Sequence, residues 1–419
     1  MSEMMNVIDR SILKRHLGEG GKLLVAYSGG VDSHVLLHHF ASNLPDSLRP
    51  FLEAIHVHHG LSANADVWVT HCKQQCEMLA IPLHIEHVEV SKNGSVEENA
   101  RNARYQAFSK YVGEGDVLLQ GHHANDQAET VLFRLERGAG TRGIQGIPVV
   151  REFNRGVIWR PLLEVSRQDI EQYAQYNNLK WVEDESNYTL AHRRNVLRHS
   201  VLQSWQAHNS NIAMAIASSA TLIQKEMAVF DRLAHEALQE YLNSDGGLLL
   251  EKVVCPELEF WVSRFLRAHG VSLTAPQVMS VVKMFSSSSD KQPAYRGQDF
   301  RLARYADAIY VLPHTESPST MVLEAGEWLH RKYDRLYSDH SLTVKARPEG
   351  ETIKLSNGRH RPLKKWLQDQ RIPAWWREQL PYLFDGTTLV AIADLWIDPN
   401  WHGTVMWYPN DKLPWPSTR

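Results

Sequence analysis

The chain has 419 residues, which at about 150 residues per domain gives an expectation of two or three domains. Hydrophobic residues are 43% and charged residues 22%, a globular composition that excludes a disordered, collagen-like or coiled-coil chain. The 45 Lys+Arg against 48 Asp+Glu give a net charge of -3, which excludes a uniformly basic nucleic-acid binder but not a local basic patch.

Three cysteines cannot build a disulfide framework, and Cys72 and Cys76 lack C-x-x-C spacing, so a reducing compartment is expected. No apolar run is long enough to span a bilayer, and the first sixteen residues lack the apolar core of a signal peptide. The expected location is the cytoplasm, without a membrane partner.

The first third alternates strands and helices. Residues 22–27 carry the run Leu23-Leu24-Val25-Ala26, which predicts a central parallel strand buried on both faces. Further strands are expected at 52–58, 83–88 and 116–120. Ser95 and Glu98 have capping-box spacing, which predicts a helix over 96–112. Ala128, Val131, Leu132 and Leu135 mark one buried face of a helix over 125–137. The alternation predicts an α/β fold with a doubly wound parallel sheet. Ligands of such sheets bind beyond the carboxyl ends of the strands. Residues 28–33 and Gly121-His122-His123 both sit at such ends, so two segments can face one site.

Ser28-Gly29-Gly30-Val31-Asp32-Ser33 joins the first strand to a helix. Its glycines let the backbone turn and approach a ligand closely, and the helix start offers free N–H groups and a positive dipole end. Gly-Lys-Ser/Thr is absent, which excludes the P-loop, and so is G-x-G-x-x-G, which argues against a dinucleotide fold. The expectation is phosphate binding by residues 28–33. This hexapeptide resembles the loop of the PP-loop (N-type) ATP pyrophosphatases, which adenylate a carbonyl and release pyrophosphate.

Further motifs resemble one branch of that superfamily, the tRNA(Ile)-lysidine synthetases. They are His56-Val57-His58-His59-Gly60-Leu61, Glu97-Glu98-Asn99-Ala100-Arg101-Asn102-Ala103-Arg104-Tyr105, and Gly121-His122-His123-Ala124-Asn125-Asp126-Gln127-Ala128-Glu129-Thr130. Arg137-Gly138-Ala139-Gly140, Arg160-Pro161-Leu162, Trp181-Val182-Glu183-Asp184-Glu185-Ser186-Asn187 and Arg193-Arg194-Asn195-Val196-Leu197-Arg198 follow in order. At Asn125 the family often carries Asp.

Asp126 falls at a helix start, where a carboxylate is favoured for its own sake. With Asp32 it could also hold Mg²⁺ through carboxylate and phosphate oxygens. Glu129, at i+3, either shares that face or is a solvated charge. Arg101 and Arg104 share one helix face, either pairing with Glu97 or Glu98 or contacting ATP or an adenylated intermediate. His58 and His122 lie at strand ends as further candidate contacts. Arg193, Arg194 and Arg198 suit pyrophosphate or tRNA. No histidine cluster comes with the cysteines a mixed zinc site needs, so zinc is not expected.

Beyond residue 205 the pattern changes. Residues 211–242, 256–269 and 274–285 read as helices, whereas Ser166 and Asp169 mark a helix start before that point. Residues 286–289 are four serines, read as a loop, and 301–312 as strands turning near 305–307. Residues 345–377 hold nine basic and three acidic residues, a local +6 that includes Lys364 and Lys365, with Trp366, Trp375 and Trp376 interleaved. Positive charge favours phosphate, and exposed aromatics would stack on bases; the alternative is a solvated face over core tryptophans.

The expected partition is 1–210 for adenylation, 211–320 mainly helical, and 321–419 a basic α+β domain that binds tRNA. The resemblance implies that ATP activates C2 of the wobble cytidine in an isoleucine tRNA with a CAU anticodon. Lysine then displaces AMP. Asp32, Asp126 and Arg193 are the expected catalytic residues. The resemblance leaves a homodimer open.

Overall fold

Leu23, Leu24 and Val25 are buried on both faces of strand β1 (Leu23–Ala26), as a central strand requires. Burying each such leucine contributes about 1.5–3 kcal/mol. The computed structural model describes residues 7–91, 93–183, 193–251, 257–285 and 293–416. Residues 184–187 and the serines 286–289 lie outside the described residues. The chain divides into two compact units, Met1–Val229 and Phe230–Arg419.

In the first unit, α1 (Arg10–His16) precedes β1. After it come α2 (Val31–Asn43), β2 (Leu52–His58), α3 (Ala65–Met78), β3 (Leu83–His87), α4 (Val96–Ser109), β4 (Val117–Leu119) and α5 (Ala124–Glu136). Next are α6 (Thr141–Ile144), β5 (Val150–Phe153), β6 (Gly156–Trp159), α7 (Arg167–Tyr176), α8 (Arg193–Val196), α9 (Gln203–His208) and α10 (Ile212–Leu238), which runs past the unit boundary. A π-helical turn, Leu197–Leu202, lies between α8 and α9.

The six strands form one sheet in the order β3-β2-β1-β4-β6-β5. All neighbours are parallel except β5, an antiparallel edge strand. Val35, Leu36 and Phe40 of α2 and Ile170 and Ala174 of α7 cover one face, and Ala107 and Phe108 of α4 cover the other. The sheet is therefore doubly wound, as the alternation predicts. Ser95 caps α4 by accepting from Glu98 N at 3.3 Å. The β5–β6 hairpin was not expected, because two four-residue strands around a turn leave little periodicity to read.

In the second unit β7 (Leu248–Leu249), α11 (Leu258–Ala268), α12 (Ala275–Phe285), β8 (Ala294–Arg296), β9 (Phe300–Tyr305) and β10 (Ala308–Pro313) come first. The strands pair as an antiparallel sheet, β7-β10-β9-β8, so this region is sheet as well as helix. Beyond it lie β11 (Met321–Leu323), β12 (Trp328–His330), β13 (Asp334–Ser338), β14 (Leu342–Lys345), β15 (Thr352–Lys354), β16 (His360–Pro362), α13 (Leu363–Asp369), α14 (Ala374–Arg377), β17 (Tyr382–Asp385), β18 (Thr388–Ile392), β19 (Trp396–Ile397) and β20 (Val405–Pro409). They make antiparallel sheets of five, three and two strands. Trp366, Trp375 and Trp376 are buried in their core, so the stacking half of the expectation for this segment does not hold.

Candidate active site

β1 has β2 on one side and β4 on the other, and the chain order reverses there. Such a switch point leaves a crevice at the carboxyl ends of the strands. Residues 28–33 rise from β1 into it, and Gly121-His122-His123 rises from β4.

The loop is held by its own hydroxyls. Ser33 Oγ donates to Gly30 O at 3.0 Å and accepts from Ser28 N at 3.2 Å. Gly29 has φ +88°, open to glycine and strained for other residues. Its carbonyl accepts from Val182 N at 3.0 Å. A Cβ at Gly29 would stand 3.0 Å from Cys72 Sγ and from Val182 Cγ2. Gly30 is the N-cap of α2, and no side chain caps the N–H groups of its first turn. An uncapped helix start of this kind has the free donors and the dipole end that suit an anion. Gly121 touches the same turn: a Cβ there would lie 3.1 Å from Asp32 C.

Asp32 enters a charged network. Arg167 Nη1 donates to Asp32 Oδ1 at 2.8 Å and Oδ2 at 2.9 Å. His123 Nε2 lies 3.6 Å from Asp32 Oδ1 and 3.5 Å from Asp126 Oδ2, so one imidazole faces both carboxylates. Burial pushes the Asp32 carboxyl above its ordinary range. His123 and Arg167 pull it down, and Asp126 adds to the rise.

Asp126 also shapes its own helix. Its Oδ2 accepts from His123 N at 3.1 Å, and His123 Nδ1 accepts from Asn125 N at 3.2 Å, a reciprocal cap on α5. Arg198 lies 3.6 Å from Asp126 Oδ1 and donates twice to Glu129, at 2.5 and 3.1 Å. Glu129 is 1% exposed, so the solvated-charge reading of it fails. Burial works against the Arg198 charge, but Glu129 first, then Asp126 and Asp32, hold its pKa above the usual value.

The structure thus brings together residues 28–33, Asp126, Glu129 and Arg198. Arg193 pairs instead with Glu136 in the last turn of α5. Arg104 is exposed on α4, and His122 is half-buried at the turn into α5. His58 Nε2 lies 3.2 Å from Asp66, and its ring is tilted against His87 at the ends of β2 and β3. Lys364 and Lys365 are exposed in the first turn of α13. The side chain of Arg194 lies outside the described residues.

Sequence reasoning missed Arg167. The available signal was a cation one residue after the Ser166 cap, where the helix dipole disfavours it unless an acid offsets the cost. His123 carries no distinct signal in the sequence beyond its place in the Gly121-His122-His123 turn.

A family model of a PP-loop domain matches residues 4–205, and one of a TilS substrate C-terminal domain matches residues 342–407. The tRNA(Ile)-lysidine synthase of Pseudomonas fluorescens is 36% identical, covering 93% of this chain and 93% of its own. That of Pseudomonas putida is 34% identical over 88% and 92%, and that of Serratia proteamaculans 33% over 92% and 93%.

The chain belongs to the tRNA(Ile)-lysidine synthase family.

It is therefore a member of an ATP-using enzyme family, and the loop at 28–33 lies within the segment that the PP-loop domain model matches. A solved structure, the U34-tRNA thiolase NcsA from Methanococcus maripaludis, is 16% identical over 51% of this chain and 78% of its own, with a TM-score of 0.39. That similarity carries no weight here. Asn125 Oδ1 accepts from Arg167 N at 3.2 Å, a bond an aspartate oxygen would make as well. Among the described residues no helix is long and apolar enough to cross a membrane.

Proposed function

We propose that the chain joins lysine to C2 of the wobble cytidine in an isoleucine tRNA with a CAU anticodon, using ATP and releasing AMP and pyrophosphate. Family membership supports the activity. The structural observation that carries it is the uncapped start of α2 at the switch point, with Asp32, His123 and Asp126 beside it.

In the first step the C2 carbonyl oxygen attacks the α-phosphorus of ATP and pyrophosphate leaves. The N–H groups of residues 28–33 fit the departing pyrophosphate, because fixed donors stabilise developing charge without reorganising. In the second step the lysine amine attacks C2, and AMP leaves with the activated oxygen. The amine must lose a proton, and Asp126, facing the crevice beside His123, is the base of this reading. Glu129 holds Arg198, and Arg198 in turn lies against Asp126.

Two carboxylates next to a phosphate site are a donor set that fits Mg²⁺, which keeps several waters and needs few protein ligands. Asp32 would hold it, joined by Asp126 in the first step only, because Asp126 cannot hold the ion and act as the base at once. Bound there, it would neutralise charge on the phosphate oxygens. Among the described residues no cluster of three or more His, Cys, Asp or Glu forms a fuller metal cage.

In this reading residues 1–210 carry out adenylation, 211–320 connect, and 321–419 present Lys364, Lys365 and their basic neighbours to the tRNA in the cytoplasm. A homodimer belongs to the same proposal, and sedimentation velocity reads it. The central experiment supplies labelled lysine, ATP and Mg²⁺ with two transcripts, isoleucine-CAU and methionine-CAU. Label on the isoleucine transcript alone, abolished by Asp126→Asn, is expected. ATP cleavage without lysine transfer to either transcript would overturn lysine as the nucleophile.

A further inference from the structure

Five residues at the carboxyl edge of the sheet, on the α4 side, take no part in the network around Asp32. Tyr105 of α4 approaches Gln120, with Gln120 Nε2 donating to Tyr105 Oη at 3.4 Å. Gln120 immediately precedes the Gly121-His122-His123 turn, and its N–H donates to Trp159 O at 3.0 Å at the end of β6. Three arginines surround the Tyr105 ring. The Arg101 guanidinium is 5.2 Å from the ring centroid and that of Arg151 is 5.1 Å away. Arg160 follows directly after β6.

Arg160 is only 3% exposed. Its Nη1 donates to Pro148 O at 2.7 Å, but its Nε and the buried Nε of Arg151 have no hydrogen-bond partner. Among the described residues no carboxylate pairs with Arg101, Arg151 or Arg160. A buried guanidinium normally has a counter-charge, because stranding one in low dielectric costs several kcal/mol. Arg160 is buried without an acid beside it, while Arg101 is exposed and Arg151 half-buried, so the group presents three guanidinium forks with no carboxylate among the described residues to neutralise them. Guanidinium forks suit a phosphate, whose oxygens accept two parallel bonds.

We propose that Arg101, Arg151 and Arg160, gathered around Tyr105, hold a backbone phosphate of the RNA substrate beside the adenylating loop. The inference rests on the reading of a tRNA substrate given above. Two phosphate sources could occupy it, an RNA phosphodiester or the polyphosphate of ATP. The RNA is favoured because residues 28–33 already supply a complete polyphosphate cradle on β1. The arginine group stands on the opposite side of β4, on β5, β6 and α4. A phosphate held there fixes the strand whose neighbouring base must enter the crevice, which is how backbone contacts set register without reading sequence.

The test uses the full chain with Arg101→Gln, Arg151→Gln and the double variant, leaving the buried Arg160 intact so that folding is preserved. The probe is an anticodon stem-loop RNA with the CAU anticodon, titrated by fluorescence anisotropy at several salt concentrations. Each single variant is expected to weaken RNA binding about tenfold and to flatten the dependence of log affinity on log salt by about 0.7–0.9. Arg101→Lys and Arg151→Lys should recover the salt slope but not the full affinity, because lysine keeps charge without the fork. ATP binding, measured without RNA by equilibrium dialysis, is expected to be unchanged.

Unchanged RNA affinity and salt slope in the double variant would overturn the proposal. So would weakened ATP binding with RNA binding intact, which would assign the group to the nucleotide. Wild-type protein that binds the RNA but transfers no lysine would overturn the proposed reaction, while this binding test still reads the phosphate site.

Discussion

Both carboxylate oxygens of Asp32 accept from one nitrogen of Arg167, at 2.8 and 2.9 Å, so the first turn of α2 is tied to the first turn of α7. The tie spans 135 residues of sequence and fixes the carboxylate next to the 28–33 loop. Arg167 also donates to Glu171 Oε1 at 2.7 Å, which orients its guanidinium. Arg167→Gln is expected to lower lysine transfer at least tenfold, because Asp32 loses a charged partner that orients it. The cost in stability should be only about 1–2 kcal/mol, since the pair is part-exposed. Steady-state transfer and urea unfolding on the same preparation separate the two effects. Full activity in the variant would make the pair a passive surface contact.

Gly121 is the point where the β4 turn meets the start of α2. Gly121→Ala would put a methyl 3.1 Å from the Asp32 carbonyl carbon and 3.2 Å from Ser33 N, both backbone atoms that cannot swing away. Overpacking of this kind costs about 1–3 kcal/mol. The predicted result is a lowered urea midpoint together with weakened ATP binding. Gly94→Ala is the control: its glycine has φ +82° but open space around it, so backbone strain alone is measured.

Asn125→Asp should leave lysine transfer within about threefold of the parent, because a carboxylate oxygen caps the α7 N–H as well as the amide does. Asn125→Ala removes that acceptor and should cost about 1 kcal/mol in denaturant unfolding. An inactive aspartate variant would show that the neutral amide itself is required.

His34 and His39 lie buried in α2 behind the loop. Burial first, and the neighbouring His71 and His38, push His34 down to about 4; burial and His38 do the same to His39. The unfolded chain takes up these protons near 6.5, whereas the folded chain resists until near 4. Stability is therefore fully present above about 6.5 and is lost as pH falls toward 4. By pH 5 the loss should approach about 2 kcal/mol for each histidine. Urea unfolding at pH 7, 6 and 5 measures it, and His39→Gln should flatten the profile. A stability independent of pH across that range would contradict the buried, neutral state of both rings.

Much of the catalytic unit is written in local patterns. The run at 23–26 declares a strand buried on both faces, Ser95 and Glu98 declare a helix start, and the 28–33 loop carries its own geometry in two glycines and two hydroxyls. Each depends on neighbours within a few residues, so the sequence displays it directly. The same holds for the basic surplus of 345–377, where charge is a property of composition.

Other features exist only once distant segments meet. Arg167 reaching Asp32, Arg198 reaching Glu129, and the gathering of Arg101, Arg151 and Arg160 around Tyr105 join residues tens of positions apart. No periodicity encodes them. Trp366, Trp375 and Trp376 show the same limit from the other side: the pattern allowed stacking platforms or core, and packing against the C-terminal strands chose core. The sequence by itself determined the strand–helix order, the glycine-rich turn at 28–33 and the distribution of charge, because these follow from composition, short-range sterics and hydrophobic spacing. The tertiary structure decided which charges face one another, because that depends on where the sheet order reverses and which helix starts it brings to a common edge.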